Sequence, residues 1–317
     1  MKKTIIIFTF LTLCLTVFRW NAYGQVQLPG KSVFDPSKAV FIYDDVHNFL
    51  SALKLIEAGG DPVQTLKAEY FDKGTPGLKE FIAKYDLELE NLAEAIQKRP
   101  EKYAGLGDIA KKFAAQEDKY RRAYAKLKQF IPNAVFPPTY YLVGDWSGIA
   151  SGSKQGMLIS IERVTSAAGK DALIIHELVH MQQVAAQGYD KYLAIYSTEK
   201  SLLAITIREG TAEFLARLVT GLTTQEKAYA YVIKHEAELW QKFSKVMLGK
   251  ETGDWMWKKP ADQEQPPHVA YSLGARIVES YYHNAPDKKQ AIKEILACTE
   301  YPAFLDKSGY AGKFTKK

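Results

Sequence analysis

The stretch DALIIHELVHMQQ, residues 171–183, sets two histidines four apart with a glutamate directly after the first, inside an otherwise apolar run. Every residue in it is compatible with a helix. On a helix, positions four apart share a face, so His176 and His180 can present imidazole nitrogens to one ion. Glu177, turned by about 100° per residue, lies beside that ion rather than on it. From there it can accept a proton from a water polarised by the metal. Ile174, Ile175, Leu178 and Val179 wrap the same helix in core, where two histidines and a glutamate are costly without a partner.

A catalytic zinc site takes a third protein ligand and keeps one position open. TIREGTAEFLARL, residues 206–218, supplies donors: Glu209 and Glu213 are again four apart on an apolar helix. With Glu209 as the third ligand, Glu213 one turn on can accept the outer N–H of a ligand histidine and hold its tautomer. The competing reading pairs one of these acids with Arg208 or Arg217.

The rest of the chain narrows the choices. It has 317 residues, 47% of them apolar, enough for a real core. Lys2 and Lys3 lead into TIIIFTFLTLCLTVF and a small-residue ending at Ala22 to Gly24, which reads as a signal peptide cut before Gln25. Its apolar run is shorter than the about 20 residues of a membrane span. Cys14 lacks the small residues that lipoprotein processing favours before it. The expected location is secreted or periplasmic. Losing residues 1–24 removes Lys2, Lys3 and Arg19 from a net charge of +6, and the modest remainder points to no nucleic-acid partner. Only Cys298 then remains, so no internal disulfide and no cysteine zinc cluster can form.

Along the chain, Asp44 to Phe130 is helical in period, with an Asp61 cap and Pro62 at a first helical position. PPTYYLVG and QGMLISIERV read as two strands joined by the Gly/Ser-rich loop DWSGIASGSK. Helices are expected at 170–187, about 200–220, 223–248, 268–284 and 287–298. The class is α+β with helices dominant. The domain reading is signal peptide 1–24, helical lobe 25–131 and catalytic lobe 132–317.

HELVH followed by REGTAEF resembles the gluzincin metallopeptidases, where a second helix carries a glutamate ligand. The 28 residues between His180 and Glu209 exceed the spacing of the well-known branches. The chain is more similar to the bacterial predicted zinc-dependent proteases and to gliding-motility B-like envelope proteins, through DDVHNFL, the two glutamate motifs and AYSLGARIVESYY. This resemblance implies a zincin-like fold with a small antiparallel sheet beside the active-site helix. It implies Zn2+, a peptide or protein substrate, and peptide hydrolysis with Glu177 as general base. It makes GMLISIE, residues 156–162, the edge strand that receives an extended substrate. It also keeps a rival alive: a non-enzymatic envelope or motility-associated protein, peripherally attached, that retains the metal for binding or structure.

Tyr271 and His268 are candidates for stabilising the oxyanion, on a helix where Gly274 permits close approach. Ordinary core packing for Tyr271 and a surface place for His268 compete with that role. His47, His235 and His283 show no partner spacing. Ser147 lacks the flanking small residues of a nucleophile elbow, and Cys298 reads as buried and inert.

Overall fold

The computed structural model describes residues 28–164, 170–258 and 260–315. The expected signal peptide lies outside them. Four strands form one sheet: β1 (Phe41–Ile42), β2 (Thr139–Leu142), β3 (Ala150–Gly152) and β4 (Met157–Ser160), in the order β1-β2-β4-β3. β1 and β4 both run parallel to β2, and only β3 is antiparallel to its neighbour. The sheet is therefore mixed, not antiparallel. β2 and β4, TYYL and MLIS, are buried at every position, as central strands covered on both faces must be.

The expectation for GMLISIE is corrected in the same way. β4 lies between β2 and β3, with Thr139 opposite Met157 on one side and Ser151 opposite Leu158 on the other. The edge on this side of the sheet belongs to β3, which the Gly/Ser-rich loop contributes. That loop carries the chain past β4's place and returns it through a tight hairpin, where Ser153 N–H donates to Gly156 O at 2.8 Å and Gly156 has a φ of 142°. A glycine allows that backbone without steric cost.

Among the described residues seven α-helices precede β2: α1 (Asp44–Glu57), α2 (Pro62–Leu66), α3 (Pro76–Tyr85), α4 (Leu89–Lys98), α5 (Pro100–Ala104), α6 (Leu106–Ala114) and α7 (Glu117–Phe130). Asp61 accepts Gln64 N–H at 2.8 Å and caps α2, and Thr75 caps α3 through Leu78 N–H. α1 and α3 pack on β2, and β1 joins the sheet directly. One hydrophobic core runs without a break from Ala39 to Tyr310 across both halves of the chain.

After β4 come α8 (Lys170–Gln187), α9 (Tyr189–Thr198), α10 (Leu202–Thr220), α11 (Glu226–Phe243), α12 (Val269–Asn284), α13 (Lys288–Leu296) and α14 (Tyr301–Ser308). α11 ends five residues before the expected 248 and bends at His235, whose φ of −116° leaves the helical range. α9 fills part of the long spacing between the two glutamate-bearing motifs and was not expected.

α8 and α10 are buried nearly all round, as helices enclosed by other elements are. Gln182 pins α8 to the approach to β2: its Oε1 accepts Val135 N–H at 2.9 Å and its Nε2 donates to Val135 O at 2.8 Å. α10 starts at a Ser201 cap and stops at Gly221, left-handed at φ 76°. α10 then crosses α12 at two glycines. A Cβ on Gly210 would stand 2.1 Å from Gly274 C, and one on Gly274 1.9 Å from Thr206 O. The two backbones touch, which draws the acids of α10 close to the first turn of α12.

Candidate metal centre

α8 presents His176 and His180 one turn apart, and α10 presents Glu209 to them. His176 Nε2 lies 3.2 Å from Glu209 Oε2 and 3.2 Å from His180 Nε2, and His180 Nε2 lies 3.4 Å from Glu209 Oε2. A tetrahedral zinc with ligand atoms at about 2.0–2.1 Å requires separations of about 3.3–3.4 Å between them. The triangle has the right size for such an ion.

Its chemistry agrees. His176 Nδ1 sits 3.1 Å from Glu213 Oε1, and His180 Nδ1 sits 2.8 Å from Gln183 Oε1. Each ring donates its Nδ1 proton outward and turns the Nε2 lone pair inward. Two lone pairs and a carboxylate oxygen then face one another in a buried place, where only a cation or a proton relieves them. In the bare protein a proton serves: burial opposes a charged His176, but hydrogen bonds and charges from Glu209 and Glu213 outweigh it and raise its pKa. For His180 burial is likewise outweighed, chiefly by the charge of Glu209. Glu209 is driven well below the usual carboxylate range by the two histidines, against its burial.

Glu213 is kept anionic by the α10–α11 turn. Thr223 Oγ1 donates to its Oε2 at 2.9 Å, Thr224 N–H to the same oxygen at 3.2 Å, and Thr224 Oγ1 to Oε1. With His176 these donors outweigh burial and lower its pKa. Gln183 is held too, its Nε2 donating to Arg208 O at 3.2 Å. The arginines do not take the acids: Arg208 donates to Glu199 O and lies over Tyr196 and Tyr301, and Arg217 pairs with Glu279 at 2.6 Å.

Glu177 is 7% exposed and takes no hydrogen bond among the described residues. Its charge acts on Lys84, Tyr85, Tyr196 and Tyr271, which come from α3, α9 and α12. The ring of Tyr271 stacks on His176, centroids 5.9 Å apart and planes 20° apart. His268 meets Tyr271 edge-on at 5.5 Å, with a left-handed φ of 66° and a buried Nδ1 that has no hydrogen-bond partner among the described residues. Trp257 Nε1 donates to the Tyr271 hydroxyl at 3.2 Å.

Close by is the free edge of β3. Ser160 N–H donates to Ile149 O and Ser153 N–H to Gly156 O, a phase that turns Ile149, Ser151 and Ser153 to β4 and Ala150 and Gly152 outward. Gly152 O already accepts Lys84 Nζ at 3.1 Å.

The other candidates stand apart from this site. His235 stacks on Tyr231, His283 lies 3.8 Å from Glu279, and Ser147 is an exposed turn residue with its N–H on Asp145. Cys298 is half-buried rather than buried, and burial pushes its thiol up to about 12. Sequence reading missed Gln183, Thr223 and Thr224. Gln183, three residues past His180, was the one with a signal in spacing. No family model, curated protein or solved structure matches the chain.

Proposed function

We propose that this protein is a zinc-dependent hydrolase that cleaves peptide bonds, acting outside the cytoplasm after removal of residues 1–24. The observation that carries the reading is Glu177: a buried carboxylate that takes no hydrogen bond among the described residues and whose charge acts on His180, beside an inward-facing triangle of His176, His180 and Glu209. A site that served structure alone would close with a fourth protein ligand and have no use for an unengaged base.

His176, His180 and Glu209 would hold the zinc, and Glu213 and Gln183 keep the two rings turned to it. Bound there, the metal supplies Lewis-acid polarisation of water and of the scissile carbonyl. The Glu177 carboxylate takes a proton from the attacking water and returns it to the amide nitrogen as the C–N bond breaks. The Tyr271 hydroxyl donates to the carbonyl oxygen as negative charge develops on it. An extended peptide gains main-chain hydrogen bonds at Ala150 on the β3 edge, while Lys84 closes that edge at Gly152.

The test compares zinc content and hydrolysis of a diverse peptide pool for wild type, Glu177→Ala and Glu209→Ala. Glu177→Ala should keep its zinc and lose turnover; Glu209→Ala should lose zinc. A zinc-loaded wild type that cleaves no more than Glu177→Ala returns the protein to the non-enzymatic reading.

A further inference from the structure

Trp257 is 55% exposed, yet it is not loosely placed. Its neighbour Met256 is fully buried, and Met256 O accepts the main-chain N–H of His268 at 3.0 Å. Trp255 packs edge-on against Phe243 at 5.2 Å, and Gln265 Nε2 closes the segment on Asp254 O at 2.9 Å. The connection between α11 and α12 thus holds the indole at the mouth of the site, with its N–H on the Tyr271 oxygen.

An indole N–H can only donate, whereas a phenol has one proton to give and lone pairs to accept with. Among the described residues the Tyr271 hydroxyl accepts from Trp257 and donates to no protein group. We infer that Trp257 is a positioning residue: by occupying an acceptor site on the Tyr271 oxygen, its indole N–H turns the phenolic proton away from the connection and towards the reacting carbonyl. The inference rests on the proposed role of Tyr271. The indole bond also polarises the hydroxyl and makes it a better donor, as chained hydrogen bonds do. A donor already aimed needs no reorientation when charge develops, so the benefit falls on turnover rather than on binding.

Two measurements decide it. In the 1H–15N spectrum of the metal-free full chain, Trp257→Phe identifies the Trp257 indole resonance by its loss. Tyr271→Phe should move that resonance upfield, because it removes the acceptor. In the zinc-loaded protein, Trp257→Phe should lower kcat about 2- to 10-fold with KM nearly unchanged, the effect of one hydrogen bond, and should have no further effect in Tyr271→Phe. An indole resonance that ignores Tyr271→Phe overturns the inference, as does a Trp257→Phe effect that persists in full without the phenol or falls on KM alone. Absence of any peptide turnover by wild type sinks the hydrolase reading itself. In that case the inference falls with it, even if the spectrum still shows the paired indole.

Discussion

Gln183 joins His180 to the helix that carries the third ligand: its Oε1 is 2.8 Å from His180 Nδ1, and its Nε2 donates to the main-chain oxygen of Arg208, the residue before Glu209. One amide thus fixes the tautomer of a ligand and the spacing of α8 and α10 together. It is 2% exposed, and neither bond can pass to bulk water.

Gln183→Leu, similar in volume, should keep the fold and weaken zinc binding by about 10- to 100-fold, the usual cost of losing the outer partner of a ligand histidine. Competition against a chromogenic chelator measures this. Wild-type affinity in a folded Gln183→Leu protein would remove Gln183 from the centre's support.

Zinc uptake should release protons near neutral pH. Burial disfavours the charged forms of His176 and His180, but Glu209 and Glu213 raise the pKa of His176, and Glu209 chiefly raises that of His180, in the metal-free protein, and a ligand nitrogen must give up its proton. Affinity should therefore fall as pH drops through neutrality and below. Titration calorimetry in buffers of different ionisation enthalpy reads the proton count directly; heats independent of the buffer would contradict the assigned protonation.

Gly274→Ala should destabilise the fold by about 1–3 kcal/mol or more, because the added methyl meets Thr206 O across the crossing. Helix propensity alone would make alanine the better residue by about 1 kcal/mol, so the sign of the change tests the close approach. Thermal unfolding should show a lower Tm and, because α10 is pushed from α12, weaker zinc binding. A raised Tm would mean that the helices stand further apart.

Acid should loosen the α10–α12 interface through Glu279, which Arg217 and Arg276 hold. Burial works against its charge, but the arginines win and depress its pKa below the ordinary 4.5. A depressed carboxylate contributes stability that is fully present above the unfolded value of about 4.3–4.5 and is lost as pH falls through the folded one. Glu279→Gln should flatten that part of the stability curve. Denaturant midpoints measured from about pH 6 down to 3 test this, and parallel curves for the two proteins would refute it.

The sequence by itself determined what lies along single helices. Apolar period placed α8 at the expected 170–187 and α10 within two residues of its expected start. Four-residue spacing put His176 with His180, and Glu209 with Glu213, because a helix repeats its face whatever surrounds it. Only the tertiary structure decided what depends on elements meeting. The two runs read as strands are parallel, with a third from the loop between them taking the edge, because strand order is set by how the chain crosses the sheet. α9 was hidden within a segment that buries none of its residues and so lacks a clear apolar face. Glu209 faces both Nε2 atoms while Glu213 reaches round to Nδ1, the division expected from the sequence, although four-residue spacing alone would equally allow the reverse. That choice comes from the angle at which α10 meets α8, and the contact of Gly210 with Gly274 helps to set it.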